Sequence, residues 1–291
     1  MSAISMSTTQ NKKRLQAKKN ASAIGRHLFL IVFSLIMIYP VIWWVGASLK
    51  PAAEMSLPTL FPSHPVWENY ITGWQSNGQF TFTTYFRNTL TMEIFNVVGS
   101  VCSAAICGFG FGRLRFKGRN LLFTLLMITM MLPGQVTIVP QYVYYHQLGL
   151  VDSYVPLILP YYFGTPFFIY LVVQFVRGIP KDLDEAAKID GANIFTIFFR
   201  IIVPLIKAPL VTVAIFTFLW SWDDFFGQML YLSSPGKFTV GLALRMFIDQ
   251  FEIKWGQLLA MSLLSIVPST IVFMLAQKHF VEGIATTGLK G

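Results

Sequence analysis

Charged residues are scarce in this sequence, and their scarcity excludes most soluble folds. Only 12% of the residues are charged, whereas 54% are hydrophobic and the mean hydropathy is +0.58. Soluble domains carry about 25% charged residues. The composition therefore predicts a membrane protein, and the net charge of +9 must be explained by where the cations lie rather than by nucleic-acid binding.

Residues that hold metals or form disulfides are also few. Cys102 and Cys107 lie in one apolar run, and on a helix their side chains would point about 140° apart. That arrangement favours packing over a disulfide or a metal site. The histidines are scattered, and no set of Ser, His, Asp or Cys has the spacing of a catalytic site. We therefore expect neither a metal site nor an enzyme.

The sequence lacks the phosphate-binding loop G-x-x-x-x-G-K-[ST] as well. The nearest stretch, PGKF at 235–238, has neither the upstream glycine nor the hydroxyl residue. We expect no cofactor on this chain, and if ATP drives it, another polypeptide must bind the ATP.

What the sequence has instead is long hydrophobic runs. A membrane-spanning helix needs about 20 mostly apolar residues, so an all-α, polytopic membrane protein is predicted. Its first run is longer than the roughly 7–15 residues of a signal-peptide core, and we therefore predict an uncleaved first span. Six spans are predicted, at 28–49, 87–111, 121–146, 155–177, 208–231 and 257–280. The apolar stretch 194–203 is too short to span and is expected at the membrane interface.

The basic residues fall mainly on one side of this plan. If the spans alternate in direction, 17 Lys and Arg lie on the side that holds both termini and 5 lie on the other. Cytoplasmic loops carry the excess of such residues, so an N-in, C-in topology is predicted. The resulting map has a basic cytoplasmic tail at 1–27, the first span at 28–49 and an extracytoplasmic loop at 50–86. A transmembrane core of five spans follows at 87–280, with a cytoplasmic loop at 178–206, and a cytoplasmic tail is expected at 281–291.

Three acidic residues, Glu93, Asp223 and Asp224, lie inside the predicted spans. A charge in the lipid is costly, so these residues either face a cavity or a partner, or mark the outer membrane interface. Prolines inside the third and fourth spans break helical hydrogen bonds. Such breaks are explained either by static packing or by a translocation path.

The stretch EAAKIDGANIFTIFFRIIVP at 185–204 is a polar exception in an apolar chain. Asp184 and Lys188 have the i, i+4 spacing of a helical ion pair. Gly191 suits the left-handed residue that ends a helix, and Asn193 can cap the helix that follows. The pattern predicts a short helix, a bend and an apolar helix, which either transmit a push from a soluble partner or form an ordinary connector.

The same stretch resembles the EAA loop of the membrane subunits of binding-protein-dependent ABC importers. The family pattern is E-A-A, then D-G-A, then an apolar helix that ends in proline, and Val203 stands where leucine usually precedes that proline. The blocks LFPSHPVWENYITGW and FVEGIATTGLKG are similar to the carbohydrate branch, specifically to the shorter permease subunit of the maltose-transporter type. The similarity runs over about residues 25–291.

That resemblance implies a type I ABC importer permease fold in the bacterial cytoplasmic (inner) membrane. It also implies a heterodimeric pore with a second permease, two ATP-binding subunits that carry ATP and Mg, and an extracytoplasmic sugar-binding protein. By the same resemblance, the coupling-helix contact and hinge positions are Glu185, Ala186, Ala187, Asp190 and Gly191. The residues expected to reach into the ATPase dimer are Thr287, Gly288, Leu289, Lys290 and Gly291.

Sugars are usually held by stacked aromatic rings and by polar groups that bond their hydroxyls. The substrate-path candidates are Gln135, Tyr161, Trp220, Asp223 and Asp224. In the maltose system the partner permease provides most sugar contacts, which implies few contacts from this chain. Asp223 departs from the W-N-acid pattern that is common in the family, and the extra carboxylate favours a neutral sugar over an acidic one.

A second hypothesis is a stand-alone carrier driven by an ion gradient. It would use the intramembrane acids Glu93, Asp223 and Asp224 to bind protons or cations. A neighbouring ATPase gene would favour the importer, whereas transport by this chain alone without ATP would favour the carrier.

Overall fold

The computed structural model describes the backbone of residues 2–76, 78–249 and 253–288, and side chains between residues 20 and 277 outside positions 21, 77 and 250–252. Within these residues the chain is helical, with an isolated bridge between Ile248 and Ile253 in place of a sheet. The predicted all-α class is confirmed for this part of the chain.

The helices are numbered in chain order. They are α1 Ser2–Ser48, α2 Glu68–Gln75, α3 Phe82–Arg113, α4 Arg119–Thr129, α5 Gly134–Gln147, α6 Val155–Tyr162, α7 Pro166–Gly178, α8 Asp182–Ile189, α9 Ile194–Thr196, α10 Val203–Leu205, α11 Lys207–Trp222, α12 Phe225–Tyr231, α13 Val240–Ala243 and α14 Trp255–Gly288. A π-helical segment, Ile197–Ile202, connects α9 to α10.

Four helical stretches are long and apolar enough to cross a membrane, and two bent pairs raise the number to six if each pair counts as one span. The four are Ser22–Ser48, Phe82–Arg113, Val155–Gly178 and Trp255–Gln277. The pairs are Arg119–Thr129 with Gly134–Gln147, bent by 100°, and Ile194–Leu205 with Lys207–Trp222, bent by 74°. Five of these six elements lie at the places of predicted spans, whereas the pair Ile194–Leu205 with Lys207–Trp222 only partly overlaps the predicted span 208–231.

The predicted span 208–231 differs from the structure, because α11 ends at Trp222 and α12 begins at Phe225. The break has a local cause. Asp224 turns its carboxylate back onto the backbone and accepts a hydrogen bond from the N–H of Gly227 at 2.9 Å. A short side chain that bonds nearby backbone groups in this way favours a new helix start over continuation.

The core forms around α3, which packs against α6, α7 and α11. Gly108 and Gly112 allow the close contact with α7, since a Cβ atom there would lie 2.4 Å and 2.5 Å from the side chains of Val172 and Val176. Small residues at such positions let membrane helices approach closely. Ile202 and Val213 extend the same core to the π-helical segment and α11.

The first helix lies outside this core. Residues 24–43 of this helix are all exposed, and its larger contacts among the described residues are with α14. Phe29 and Ile36 are 67% and 60% exposed. In a membrane this surface would meet lipid or a second subunit, since water would disfavour so much exposed apolar area.

Candidate functional site

The short helix α8 is fixed to the end of α3 by an arginine. Arg113 Nε lies 3.3 Å from Asp184 Oδ2, and the two side chains are 3% and 14% exposed. Arg113 Nη2 also donates to the carbonyl of Ile179 at 2.8 Å. The predicted pair of Asp184 with Lys188 is therefore wrong, because the arginine draws the carboxylate inward while Lys188 stays exposed.

The end of α8 has the predicted geometry. Gly191 has φ of +80°, in the left-handed region. Its N–H donates to the carbonyl of Lys188 at 3.0 Å, and the N–H of Ala192 donates to the carbonyl of Ala187 at 2.9 Å. This pair of bonds defines the Schellman motif, which satisfies the last carbonyls of a helix. The predicted role of Gly191 as a helix stop is confirmed.

Asn193 caps the next helix, as predicted. Its Oδ1 accepts from the N–H of Thr196 at 2.9 Å and from the Thr196 hydroxyl at 3.0 Å. The chain then enters the π-helical segment, where Val203 N–H donates to the carbonyl of Phe198, five residues back. Pro204 has no N–H for a regular helical bond, and a π-helical turn is one way to accommodate that loss.

The outward face of α8 forms the candidate site, here called the coupling surface: Glu185, Ala186, Ile189 and Asp190. All four residues are exposed, and Ile189 is 87% exposed. The side chains of Glu185 and Asp190 form no hydrogen bond or ion pair with any described residue. They are therefore not needed for the local shape, and an exposed Ile between carboxylates points to an external contact.

The predicted coupling residues thus divide into two groups. Glu185, Ala186 and Asp190 lie on the coupling surface, whereas Ala187 packs against the core and Gly191 forms the turn. Arg113 and Ile189 were not among the residues predicted from the sequence. Ile189 lies within the quoted motif and could have been singled out from the sequence. Arg113 could not, because its contact joins segments that are remote in sequence.

The substrate-path candidates are only partly brought together. Tyr161 lies near Glu93, Asp224 and Ser221. Trp220 is 49% exposed and stacks on Phe168 with ring centroids 5.2 Å apart. Gln135 is exposed in the first turn of a separate element, α5.

Asp223 lines a cavity of about 270 Å³ at the break after α11. Its polar neighbours there are Ser265 and Ser269 of α14, and Trp222 forms part of the wall. Sequence analysis missed these two serines, because nothing local in α14 distinguishes them from other small residues in a membrane helix. The neighbouring Asp224 is occupied by its cap of α12.

Glu93 is 1% exposed and lies where α3 meets α11. The Ser221 hydroxyl contacts its Oε2 atom, while its Oε1 atom has no partner among the described residues. Asn96 and Ser100 share this face of α3, and each has a buried oxygen without a partner in the same part of the chain. The carboxyl group therefore belongs to a buried polar seam between two helices.

The C-terminal residues are described only in part. The backbone of Thr287 and Gly288 lies in the last turn of α14. The other members of the predicted tail contact, Leu289, Lys290 and Gly291, lie outside the described residues.

The chain is similar to known proteins in both sequence and fold. A family profile described as "Binding-protein-dependent transport system inner membrane component" matches residues 104–286. The chain is 34% identical over 270 residues to the probable ABC transporter permease protein YurM of Bacillus subtilis, which covers 91% of this chain and 87% of that protein.

Two further Bacillus subtilis relatives are 32% identical. The arabinooligosaccharides transport system permease protein AraQ aligns over 92% of this chain and 96% of its own length. The galactooligosaccharides transport system permease protein GanQ aligns over 95% and 99%. Among solved structures, a bacterial ABC transporter involved in the import of the acidic polysaccharide alginate has a chain of the same fold, with a TM-score of 0.78 at 23% identity over 90% of this chain and 98% of that chain.

Proposed function

Because this chain belongs to the family of inner-membrane components of binding-protein-dependent transport systems, we propose that it is the permease subunit of an ATP-driven importer of a sugar or oligosaccharide. Membership makes it a multi-pass protein of the inner membrane, and the ATPase of such systems is a separate subunit. The sugar assignment rests on relatives named for arabinooligosaccharides and galactooligosaccharides.

The coupling surface is the observation that carries the mechanism. We propose that Glu185, Ala186, Ile189 and Asp190 dock onto a cytoplasmic ATP-binding subunit. Their exposure supports this role, as does the absence of a side-chain hydrogen bond or ion pair between Glu185 or Asp190 and any described residue. Ala187 and Gly191 would maintain the shape of the docking element by packing and by the left-handed turn.

The route of the movement follows from the contacts. A push on α8 would reach α11 through the π-helical segment, whose Ile197 and Ile202 are 3% and 0% exposed. It would reach α3 through the ion pair of Arg113 with Asp184. Close packing transmits such displacements, because interiors have low compressibility.

The proposed assembly contains partners beyond this chain. We propose a second permease that completes the pore, two ATP-binding subunits that hold ATP and Mg, and an extracytoplasmic sugar-binding protein. The side of the protein that carries most of the Lys and Arg residues would face the cytoplasm, and both termini would lie on that side. This proposal includes the segment boundaries inferred from the sequence. It also includes the tail at 281–291, in which Thr287 to Gly291 would contact the ATPase.

The substrate path would run past the break after α11. Asp223 faces a cavity with two serines, and such hydroxyl and carboxylate groups can bond the hydroxyls of a neutral sugar. Tyr161, Trp220 and Asp224 lie on the adjoining elements α6, α11 and the α11–α12 break. Gln135 would contribute from α5.

The test is a charge reversal on the coupling surface. Glu185→Lys should leave insertion and folding intact, since the side chain is exposed and unpaired, but should lower binding-protein-stimulated ATPase activity and sugar uptake at least tenfold. The measurement uses the complete purified complex in vesicles. Glu68→Lys, an equal reversal at an exposed position of α2, is the matched control and should behave as the unaltered complex. Full coupled transport by the Glu185→Lys complex would refute the docking role.

A further inference from the structure

A cavity of about 450 Å³ opens where α3 ends and α4 and α8 begin. It lies beside the coupling surface but does not include it. Its principal lining residues are Arg115, Phe116, Arg119, Asn120, Leu121 and Lys181. Three of these residues are cations, and no acidic residue lines the cavity.

The three cations are not neutralised within the described chain. The side chains of Arg115 and Lys181 form no hydrogen bond or ion pair there. Arg119 donates from Nη1 to the carbonyl of Leu114 at 3.3 Å, which leaves its other donors free. Arg113, by contrast, is paired with Asp184. Like charges that share a cavity repel, so a bound anion would lower the energy of this arrangement.

The backbone adds neutral donors to the cationic wall. Gly118, with φ of +84°, precedes α4 and has no side chain to cap its first turn. The N–H groups of Asn120 and Leu121 accordingly have no backbone acceptor among the described residues. Arginine guanidinium groups and unpaired backbone N–H groups together favour binding of a ligand with several anionic oxygens. A phosphate is such a ligand.

The surface next to the cavity is apolar rather than polar. On α4, Leu121, Leu122 and Leu125 are 65%, 49% and 48% exposed. A free phosphate would use the cations alone, whereas a phospholipid would use both surfaces. We propose that this cavity binds the phosphate headgroup of an anionic phospholipid, such as phosphatidylglycerol, whose acyl chains lie along α4.

This site differs from the substrate path and from the docking surface, and so goes beyond the proposed function. Lys181 immediately precedes the first residue of α8. A headgroup bound there would hold the start of α8 at the membrane surface. The lipid would thereby act as a structural ligand of the coupling element.

The test is native mass spectrometry of the full-length chain in detergent with added phosphatidylglycerol or phosphatidylcholine. Arg115→Gln should weaken binding of the first phosphatidylglycerol about fivefold, and Arg115→Gln/Arg119→Gln should weaken it further, since a basic residue near a membrane surface contributes about 1 kcal/mol. Lys117→Gln is the matched control, because Lys117 is exposed in the same loop but does not line the cavity. It should bind phosphatidylglycerol as the unaltered chain does.

Several outcomes would overturn the proposal. Equal losses in Lys117→Gln would show diffuse surface attraction, and equal binding of phosphatidylcholine would remove the need for an anionic headgroup. Binding of inorganic phosphate that displaces the lipid would identify a free phosphate as the ligand. Cavity variants that bind phosphatidylglycerol as tightly as the unaltered chain would show that these cations do not hold the headgroup.

A salt titration of the unaltered chain provides a test that does not depend on how the variants fold. Higher ionic strength should weaken phosphatidylglycerol binding and leave phosphatidylcholine binding unchanged, because salt screens exposed charges. Insensitivity of both lipids to salt would contradict the proposal without any substitution.

Discussion

At the residue scale, the contacts around Glu93 favour its protonated form. Ser221 Oγ contacts Glu93 and also lies 2.8 Å from the carbonyl of Thr217. A serine hydroxyl has one hydrogen to donate, and a carbonyl can only accept. A protonated Glu93 satisfies both contacts by donating to Ser221, and it also avoids the cost of burying a charge.

This inference predicts different effects of two substitutions at Glu93. Glu93→Gln should change the free energy of unfolding by less than about 1 kcal/mol, because the amide can still donate to Ser221. Glu93→Ala should destabilise by about 2–4 kcal/mol through the lost bond and the new void. Thermal unfolding of the purified chain measures both, with Glu68→Gln as an exposed control. Equal damage from Gln and Ala would indicate an ionised Glu93.

A second residue, Asp152, links two loops outside the spans. Its Oδ1 accepts from the N–H groups of Ser233 and Ser234 at 3.0 Å and 2.9 Å, and its Oδ2 accepts from Lys237 Nζ at 2.9 Å. The hydrogen bond from the Ser234 hydroxyl is the largest of the causes that lower the pKa of Asp152 below its ordinary value. The charged form is thus the one that the fold prefers.

The lowered pKa of Asp152 predicts an acid-sensitive contribution to stability. A carboxyl with a depressed folded pKa stabilises the fold above its unfolded pKa of about 3.9 and loses that contribution as the pH falls further. Asp152→Asn should therefore lower the unfolding temperature at pH 7, and the difference from the unaltered chain should shrink only below about pH 3.9, as the pH falls toward the folded pKa. Thermal unfolding across this range is the measurement. A constant difference at all pH values would contradict the assignment.

At the element scale, α8 depends on one buried charge pair. Removing one partner of a buried ion pair costs about 3–5 kcal/mol, because the other charge stays buried alone. Asp184→Asn should destabilise the chain by about 3 kcal/mol, whereas Asp182→Asn, at an exposed position of the same helix, should cost less than about 0.5 kcal/mol.

The double variant Arg113→Gln/Asp184→Asn separates charge pairing from simple loss of contact. It should be more stable than Asp184→Asn alone, because no buried charge is left unpaired. Thermal unfolding of Arg113→Gln, of Asp184→Asn and of the double variant gives the three values that the comparison needs. Additive losses in the double variant would mean that Arg113 and Asp184 act independently.

At the scale of the whole molecule, the length of the hydrophobic runs predicted the fold class. Local side-chain chemistry predicted the bend between α8 and α9. The roles of Gly191 and Asn193 were readable because each depends on a few neighbouring residues. The break after Trp222 was missed, since an Asp inside an apolar run can cap a new helix or remain within the old one. Tertiary packing decides between those states.

Contacts between distant segments account for the other differences. The choice of Arg113 over Lys188 as the partner of Asp184 depends on α3 ending beside α8, which no local pattern encodes. The cavity residues Ser265 and Ser269 likewise acquire meaning only when α14 lies beside the end of α11. A single sequence shows which groups need partners but not which partner the fold supplies.

The π-helical segment Ile197–Ile202 has a geometric consequence for the coupling surface. Its turn is wider by one residue than an α-helical turn, and each helical residue corresponds to about 100° of rotation. The segment therefore sets the direction, around the helix axis, in which α8 points relative to α11; this direction is called the azimuth below. Substitutions that preserve chain length keep this azimuth, whereas deleting one residue here would turn the coupling surface aside by about a quarter of a revolution.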